Sequence, residues 1–408
     1  MQDDVSRLVG IDGLVVTGVV ELREQLELEV ELAVGAGCCR WCGHGSLLVK
    51  ERPVVRVRDL PLAGRVTWLL WRKRRFHCES CERTFTETHP ALPSRQRVSA
   101  RFREHLFERC RGGGAHLEIA RDERTSCYQV NRAFAVGGDQ LLARREQGPP
   151  RRLSLDEAHH RRGRELATVV SDLDRRCVID VVPGCTRKVI QRWLAGLPEE
   201  VRAGIEVVSI DPSEAYRQAI WAALPHARIV CDRFHLVRGA NTALDSVRRE
   251  RQREARARRP KGVRRAGQYV RWQPELYHAR HRLLKASERL TERERRRLCD
   301  LFARDPVLAE AWGLKERFRE IYRASNRADA ERRLEAFLVA VEHAGLPAFD
   351  AFAKGIRSWQ QELLAYFDEP TTNGYAEGVI NKVKVIKRRA YGLPTFAGFR
   401  KRVVIACG

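Results

Sequence analysis

Between Gln25 and Val34 the chain alternates apolar and charged positions, Leu26, Leu28, Val30 and Leu32 against Glu27, Glu29 and Glu31. A period of two is that of a half-exposed strand, whose successive side chains point to opposite faces. From about Ser99 to Gln140 the period becomes helical. Arg101–Cys110 reads as one helix, Gly112-Gly113-Gly114 breaks it, and His116–Asp122 and Ser126–Phe134 read as two more. The last two have the features of a helix-turn-helix. Ala120 is placed to pack at the turn, Thr125 or Ser126 to cap the second helix, and Val130 to face inward, with Arg124 where such a turn commonly holds glycine. Gln129 and Arg132 are then the candidate base readers, and a plain helical hairpin between domains is the alternative.

After the linker-like Gly148-Pro-Pro-Arg-Arg152 come strand-like runs at Leu153–Leu155, Glu165–Val170, Cys177–Val182, Ile205–Ile210 and Ala227–Cys231. Helical runs at Arg187–Ala195 and Ser213–Ala223 flank the fourth of these. Three strands, a helix, then strand, helix and strand is a mixed α/β order that resembles an RNase H-like fold. Between His235 and Pro370 the strand signal vanishes. Arg, Glu, Leu and Ala recur there at helical spacing, as in Arg282–Phe302 and Leu308–Tyr322, which predicts a large helical insertion. Its Arg248–Arg265 portion is dense in positive charge, as a solvated face or a DNA-tracking surface would be. The expected organisation is multidomain. It comprises N-terminal strands with a zinc ribbon (1–98), a helix-turn-helix domain (99–146), the first part of an α/β core (151–235), an all-α insertion (236–370) and the last part of the core (371–408).

The zinc expectation rests on two CxxC pairs, Cys39-Arg-Trp-Cys42 and Cys78-Glu-Ser-Cys81. Each pair can form a knuckle presenting two thiolates, and two knuckles close a tetrahedral structural Zn²⁺ site with no open position. His44 and His77 lie beside the knuckles but read as solvated. The other eight of the twelve cysteines are scattered and read mostly as small buried residues. Lys+Arg 76 against Asp+Glu 53 gives a net charge of +23, which points to a polyanionic partner. A membrane protein is not expected, because no apolar run approaches the roughly 20 residues a span needs and mean hydropathy is −0.44. Met1-Gln2-Asp3-Asp4 lacks the cationic start of a secretory signal, so a cytoplasmic location is expected.

Two aspartates end apolar runs, Asp156 after Leu153-Ser-Leu155 and Asp211 after Val207-Val-Ser-Ile210. Far downstream, Glu377 opens a predicted helix that turns cationic through Lys382, Lys384, Lys387 and Arg388. Carboxylates that hold divalent cations, followed by side chains that seek phosphate, are what phosphodiester chemistry requires. Singly, each acid has an ordinary alternative: Asp156 as a cap, Asp211 as N-cap of the helix after Pro212, Glu377 as an ion-pair partner of Lys382 or Arg388. Asp232 and His235, in Asp232-Arg-Phe-His235, are placed to support the metal-binding acids, or simply to stabilise a strand-end turn.

Together these features resemble the ISL-three family of bacterial insertion-sequence transposases, which carry a DDE triad. The resemblance spans nearly the whole chain. Its motifs are the paired knuckles ending Cys81-Glu-Arg-Thr-Phe85, the helix-turn-helix, Leu155-Asp156-Glu157, Ser209-Ile-Asp211-Pro-Ser-Glu-Ala-Tyr216, Cys231-Asp-Arg-Phe-His235, and Thr372-Asn-Gly-Tyr-Ala-Glu377-Gly through Tyr391-Gly392. It implies Asp156, Asp211 and Glu377 as a triad holding Mg²⁺ or Mn²⁺, with Asp232 and His235 matching a signature between the second Asp and the helical insertion. It further implies cleavage at the terminal inverted repeats of an element, joining of the 3′-hydroxyl ends to target DNA, and a dimer or higher oligomer. The alternatives are a zinc-ribbon and helix-turn-helix regulator that binds DNA without cutting, and a metal-dependent nuclease without strand transfer.

Overall fold

The alternating segment is strand β2 (Gln25–Leu32), with Leu26, Leu28 and Val30 buried. The computed structural model describes residues 2–33, 37–46, 48–93, 97–145, 148–161, 165–257, 274–371, 374–390, 393 and 395–408. Val34, residues 258–265 of the basic run, Thr372, Asn373, Tyr391 and Gly392 therefore lie outside the described residues. The chain divides into one unit of Met1–Glu146 with Val385–Ala406 and another of Gln147–Lys384 with Cys407–Gly408. Among the described residues no helix is long and apolar enough to cross a membrane.

In the first unit, helix α1 (Gln2–Val9) precedes β1 (Leu14–Glu21), which pairs antiparallel with β2. Short strands β3 (Gly37–Cys38), β4 (Gly45–Ser46) and β5 (Val49–Glu51) lead to β6 (Val54–Leu62) and β7 (Arg65–Arg72), then β8 (Arg75–His77) and β9 (Thr84–Thr86). The main sheet has the order β1-β2-β7-β6, with β2 and β7 parallel. The small strands form a hairpin, β3-β4, and a sheet, β5-β8-β9, carrying their own core of Cys39, Phe76, Cys78 and Phe85. Such a core is too small to hold a fold alone, which is where a metal contributes.

Helices α2 (Ala100–Arg111), α3 (His116–Asp122) and α4 (Cys127–Ala143) follow. Buried Asp59 of β6 accepts hydrogen bonds from Ser99 Oγ (2.6 Å) and Arg101 Nε (2.8 Å), fixing the start of α2 to the sheet. Helix α4 runs nine residues beyond the expected end at Phe134, through Gly137 and Gly138. Those glycines serve packing. A Cβ at Gly137 would stand 2.5 Å from Phe107 Cγ, and one at Gly138 2.6 Å from Ile405 Cδ1.

In the second unit, β10 (Arg152–Arg161), β11 (Glu165–Asp172) and β12 (Cys177–Pro183) form an antiparallel meander. Helices α5 (Arg187–Ala195) and α6 (Glu199–Ala203) lead to β13 (Val207–Ile210), and α7 (Glu214–Ala223) leads to β14 (Arg228–Cys231). The sheet order is β12-β11-β10-β13-β14, with β10, β13 and β14 mutually parallel. Nearly unbroken apolar runs in the last strands suit burial on both faces. Leu155, Ile210 and Cys231 form one row across the three parallel strands, all fully buried.

Helices α8 (Arg233–Ala257), α9 (Pro274–Leu284), α10 (Glu292–Arg304), α11 (Pro306–Ile321), α12 (Arg327–Ala344), α13 (Pro347–Ser358) and α14 (Gln360–Leu364) share one apolar core with this sheet. The segment Arg282–Phe302, expected as one helical run, is broken after Leu284. Thr291 there caps α10 through a reciprocal bond with Glu294, which satisfies otherwise orphaned N–H groups. Helices α15 (Gly374–Arg389) and α16 (Phe396–Cys407) complete the chain. Of the eight scattered cysteines only Cys110, Cys231 and Cys407 are buried, so the expectation that most would be is not met. A thiol is compact and polarizable enough to sit at partly open positions as well.

Candidate functional site

Asp156, Asp211 and Asp232 each lie one residue past the buried row Leu155–Ile210–Cys231. Strand β10 itself does not end at Asp156; it continues to Arg161 because β11 still pairs with it on the other side. What ends there is the parallel ladder with β13, so Asp156 stands where the adjoining strand gives way to a loop. Side chains at one register level on adjacent strands are about 5 Å apart. The three acids are therefore neighbours by construction. Asp232 is held in place by its backbone N–H, which donates to Ile210 O at 2.9 Å.

Ligand atoms of Asp211, Asp232 and His235 all lie within 4.8 Å of one another. His235, on the first turn of α8, has Nδ1 2.8 Å from Asp232 Oδ2 and 2.7 Å from Asp211 Oδ1. One N–H cannot serve both carboxylates. The hydrogen bond goes to Asp232, and Asp211 Oδ1, although shut off from solvent, has no hydrogen-bond partner. The carboxylates of Asp211 and Asp232 hold the imidazole protonated, pushing its pKa up to about 10 against the effect of burial. Asp156 Oδ1 accepts from the Glu157 N–H at 2.7 Å. Burial first, then the charge of Asp211, pushes its carboxyl up to about 6. This is an acidic recess short of cation, with the His235 imidazolium as its resident positive charge. A buried carboxylate oxygen with a charge contact but no hydrogen bond, beside two further acids, fits a hard divalent cation with oxygen ligands.

The ordinary roles are not seen for the aspartates. Ser213, not Asp211, is the N-cap residue of α7, and Asp156 lies within a strand. Glu377 sits on the first turn of α15, exposed, and makes no hydrogen bond or ion pair among the described residues. It is not part of the Asp211–Asp232–His235 group. On α15, Ala376, Val379, Val383 and Ile386 are buried. The helical period then aligns Glu377 with Asn381, Lys384 and Arg388 on one exposed stripe, with Lys382 and Lys387 off it.

The thiols of Cys39, Cys42, Cys78 and Cys81 lie within 4.8 Å of one another, with Sγ distances of 3.7 Å for Cys39–Cys81 and 3.6 Å for Cys42–Cys78. A tetrahedron with Zn–S bonds of about 2.3 Å has S···S edges of about 3.8 Å. Neither His44 nor His77 joins the group. Burial pushes the Cys39 thiol up, but N–H groups of Trp41 and Cys42 and the neighbouring thiols outweigh it and bring the pKa down to about 6. The Arg83 N–H draws the Cys81 thiol down, but burial and the neighbouring thiols outweigh it and push it up to about 12, so the four thiols titrate as one group.

The α3–α4 turn is closed by Arg124 in the left-handed region at φ 48°, where glycine is commonly found. Ala120 and Val130 are buried and Ser126 caps α4, its Oγ accepting from the Gln129 N–H at 3.3 Å. Arg132 is exposed and donates from Nη1 to the Tyr128 hydroxyl at 3.3 Å, whereas Gln129, the other candidate base reader, is half-buried against a cleft.

Against known proteins, a family model described as a transposase, of the ISL-three DDE kind, matches residues 153–403. A second, described as the zinc-finger of transposase IS204/IS1001/IS1096/IS1165, matches residues 36–81. The transposase for insertion sequence element IS1001 of Bordetella parapertussis is 28% identical over 355 residues, 87% of this chain and 84% of that protein. The transposase for insertion sequence element IS1557 of Mycobacterium tuberculosis is 29% identical over 252 residues, 59% of this chain and 56% of that protein. With the transposase model spanning the sheet, the helices after it and α15, and the zinc-finger model ending on Cys81, the chain belongs to the ISL-three family of DDE transposases.

Proposed function

We propose that this transposase binds the terminal inverted repeats of an insertion sequence in the cytosol, cuts one strand at each end, and joins the freed 3′-hydroxyls to target DNA. The second unit is read as an RNase H-like core interrupted by a helical insertion. One observation supports this most: Asp156 and Asp211 each follow the last residue pair of the β10–β13 parallel ladder, close enough that the charge of Asp211 raises the Asp156 carboxyl, with His235 as the neighbouring cation. Asp156, Asp211 and Glu377 are the residues to hold the divalent ion. When bound, Mg²⁺ or Mn²⁺ would supply an activated water and neutralise charge at the leaving oxygen.

Each acid has a defined part. Asp156 and Asp211, on short side chains from a rigid sheet, would fix the ion, and through it the scissile phosphate. Glu377, on the longer side chain of a helix, would complete the shell of the same ion, while Lys384 and Arg388 on its stripe bind flanking phosphates, with Lys382 and Lys387 to either side. Asp232 takes the His235 hydrogen bond, so that Asp211 has only its charge contact with the imidazolium to exchange for the ion. The zinc ribbon and a helix-turn-helix formed by α3 and α4 recognise the repeats, with Gln129 and Arg132 reading bases. Acting on two ends in concert calls for at least a dimer.

A strand-transfer assay tests this reading: the full chain, Mn²⁺ and a duplex carrying the element's end are incubated with a plasmid target. Joined products are expected. Cleavage without joining would make the protein a nuclease, and retention without breakage would make it a regulator.

A further inference from the structure

In the first unit a cleft of about 740 Å³ opens between the β6–β7 edge of the main sheet and the turn before α4. Its lining includes Arg56, Arg58, Arg97 and Arg124 together with Trp68 and Gln129, and holds no carboxylate. The four cations come from separate places in the chain: two from β6, one from the segment before α2, and one from the α3–α4 turn. Arg58 is the fixed member. It is 3% exposed and donates to the carbonyls of Asp59 (2.7 Å), Thr67 (3.0 Å) and Glu123 (3.2 Å), yet its Nε has no partner. This buried guanidinium, anchored by three carbonyls, fixes one positive charge in the wall of a cleft whose other three cations are exposed.

Arg56 and Arg124 are exposed and their acid partners are loosely held. Arg56 pairs with Glu27 at 2.8 Å and Arg124 with Glu24 at 3.4 Å, on surfaces where such pairs contribute little and yield readily to phosphate. Arg124 also sits at a left-handed φ of 48°, a strain that glycine would avoid. Its guanidinium in the cleft gives that position a use. The α4 N-terminus, capped by Ser126, faces the same space and adds the positive end of a helix dipole. Trp68 does not offer a free face for base stacking, since the Arg56 guanidinium lies 4.1 Å from its ring centre. The cleft therefore suits backbone phosphate rather than a base.

We propose that this cleft seats the phosphodiester backbone of one strand of duplex DNA, immediately beside the bases that face α4, so that the N-terminal sheet and the helical pair grip one continuous stretch of duplex. This deepens the DNA-binding reading above and rests on it. The test uses the full chain and two labelled duplexes of about three helical turns, one taken from the sequence flanking the reading frame and one scrambled, titrated by anisotropy across a salt series. The Arg97→Gln/Arg124→Gln double variant is expected to bind both duplexes about tenfold more weakly, with a slope of log K against log salt shallower by about two, as loss of two phosphate contacts requires. Arg97→Lys/Arg124→Lys should keep the wild-type slope. If the Gln double variant loses its wild-type melting profile, Arg97→Gln alone is used, with a slope change of about one. Unchanged affinity and slope in a folded Gln variant, while the wild type binds, would overturn the cleft assignment alone. Failure of the wild type to bind either duplex would overturn the DNA-binding reading with it.

Discussion

One proton decides how the acidic recess behaves. His235 gives its Nδ1–H to Asp232, and Asp211 Oδ1 keeps only a charge contact with the same nitrogen, at 2.7 Å. Asp156, raised to about 6 by burial and by Asp211, is protonated in part of the neutral range until a cation arrives. A dication competes with that proton, so Mn²⁺ affinity should be nearly flat above pH 6 and fall by up to about tenfold for each unit below it. Calorimetric titration across that range checks this, and Asp156→Asn should bind weakly with no such inflection. The same proximity sets the mutational expectation. Asp156→Asn, Asp211→Asn or Glu377→Gln should each lower strand cleavage by about a thousandfold or more while leaving duplex binding intact. A variant that cleaves normally would remove that residue from the site.

At the scale of elements, the zinc ribbon depends on metal for its fold. Cys42→Ser should reduce bound zinc from one per chain to none, measured by elemental analysis, and expose residues 37–86 to proteolysis, because four side chains cannot supply a core. The α3–α4 turn makes the opposite prediction. Arg124→Gly should raise the stability of the first unit by up to about 1 kcal/mol by relieving the φ of 48°, seen as a higher melting temperature, even as it weakens DNA binding. Much of this architecture can be read from periodicity. The strands around Asp156 and Asp211 are apolar because the sheet is covered on both faces, and the knuckles announce themselves by spacing. What periodicity missed has physical causes. The polar end of β10, from Asp156 to Arg161, is a strand because β11 supplies its ladder, a pairing partner that no local pattern records. Gly137 and Gly138 look like a helix stop but are close-packing positions, visible only once Phe107 and Ile405 are in place. Asp232 was readable as a supporting residue; its place on the same register level as Asp211 required the sheet.

For the whole molecule, a net charge of +23 makes DNA association an electrostatic event first and a specific one second. Binding of any duplex should weaken steeply with salt, and the preference for element ends over scrambled sequence should emerge only as salt rises; a salt-independent affinity would speak against a phosphate-dominated interface. Everything in the catalytic reading turns on whether an acid on α15 meets two on the sheet. The most direct measurement is an anomalous difference map of the full chain crystallised with Mn²⁺ and an element-end duplex. The account predicts a peak bound by Asp156 and Asp211 with Glu377 in the same coordination shell. A peak held by Asp211 and Asp232 with Glu377 still facing solvent, or no peak at all, would contradict it.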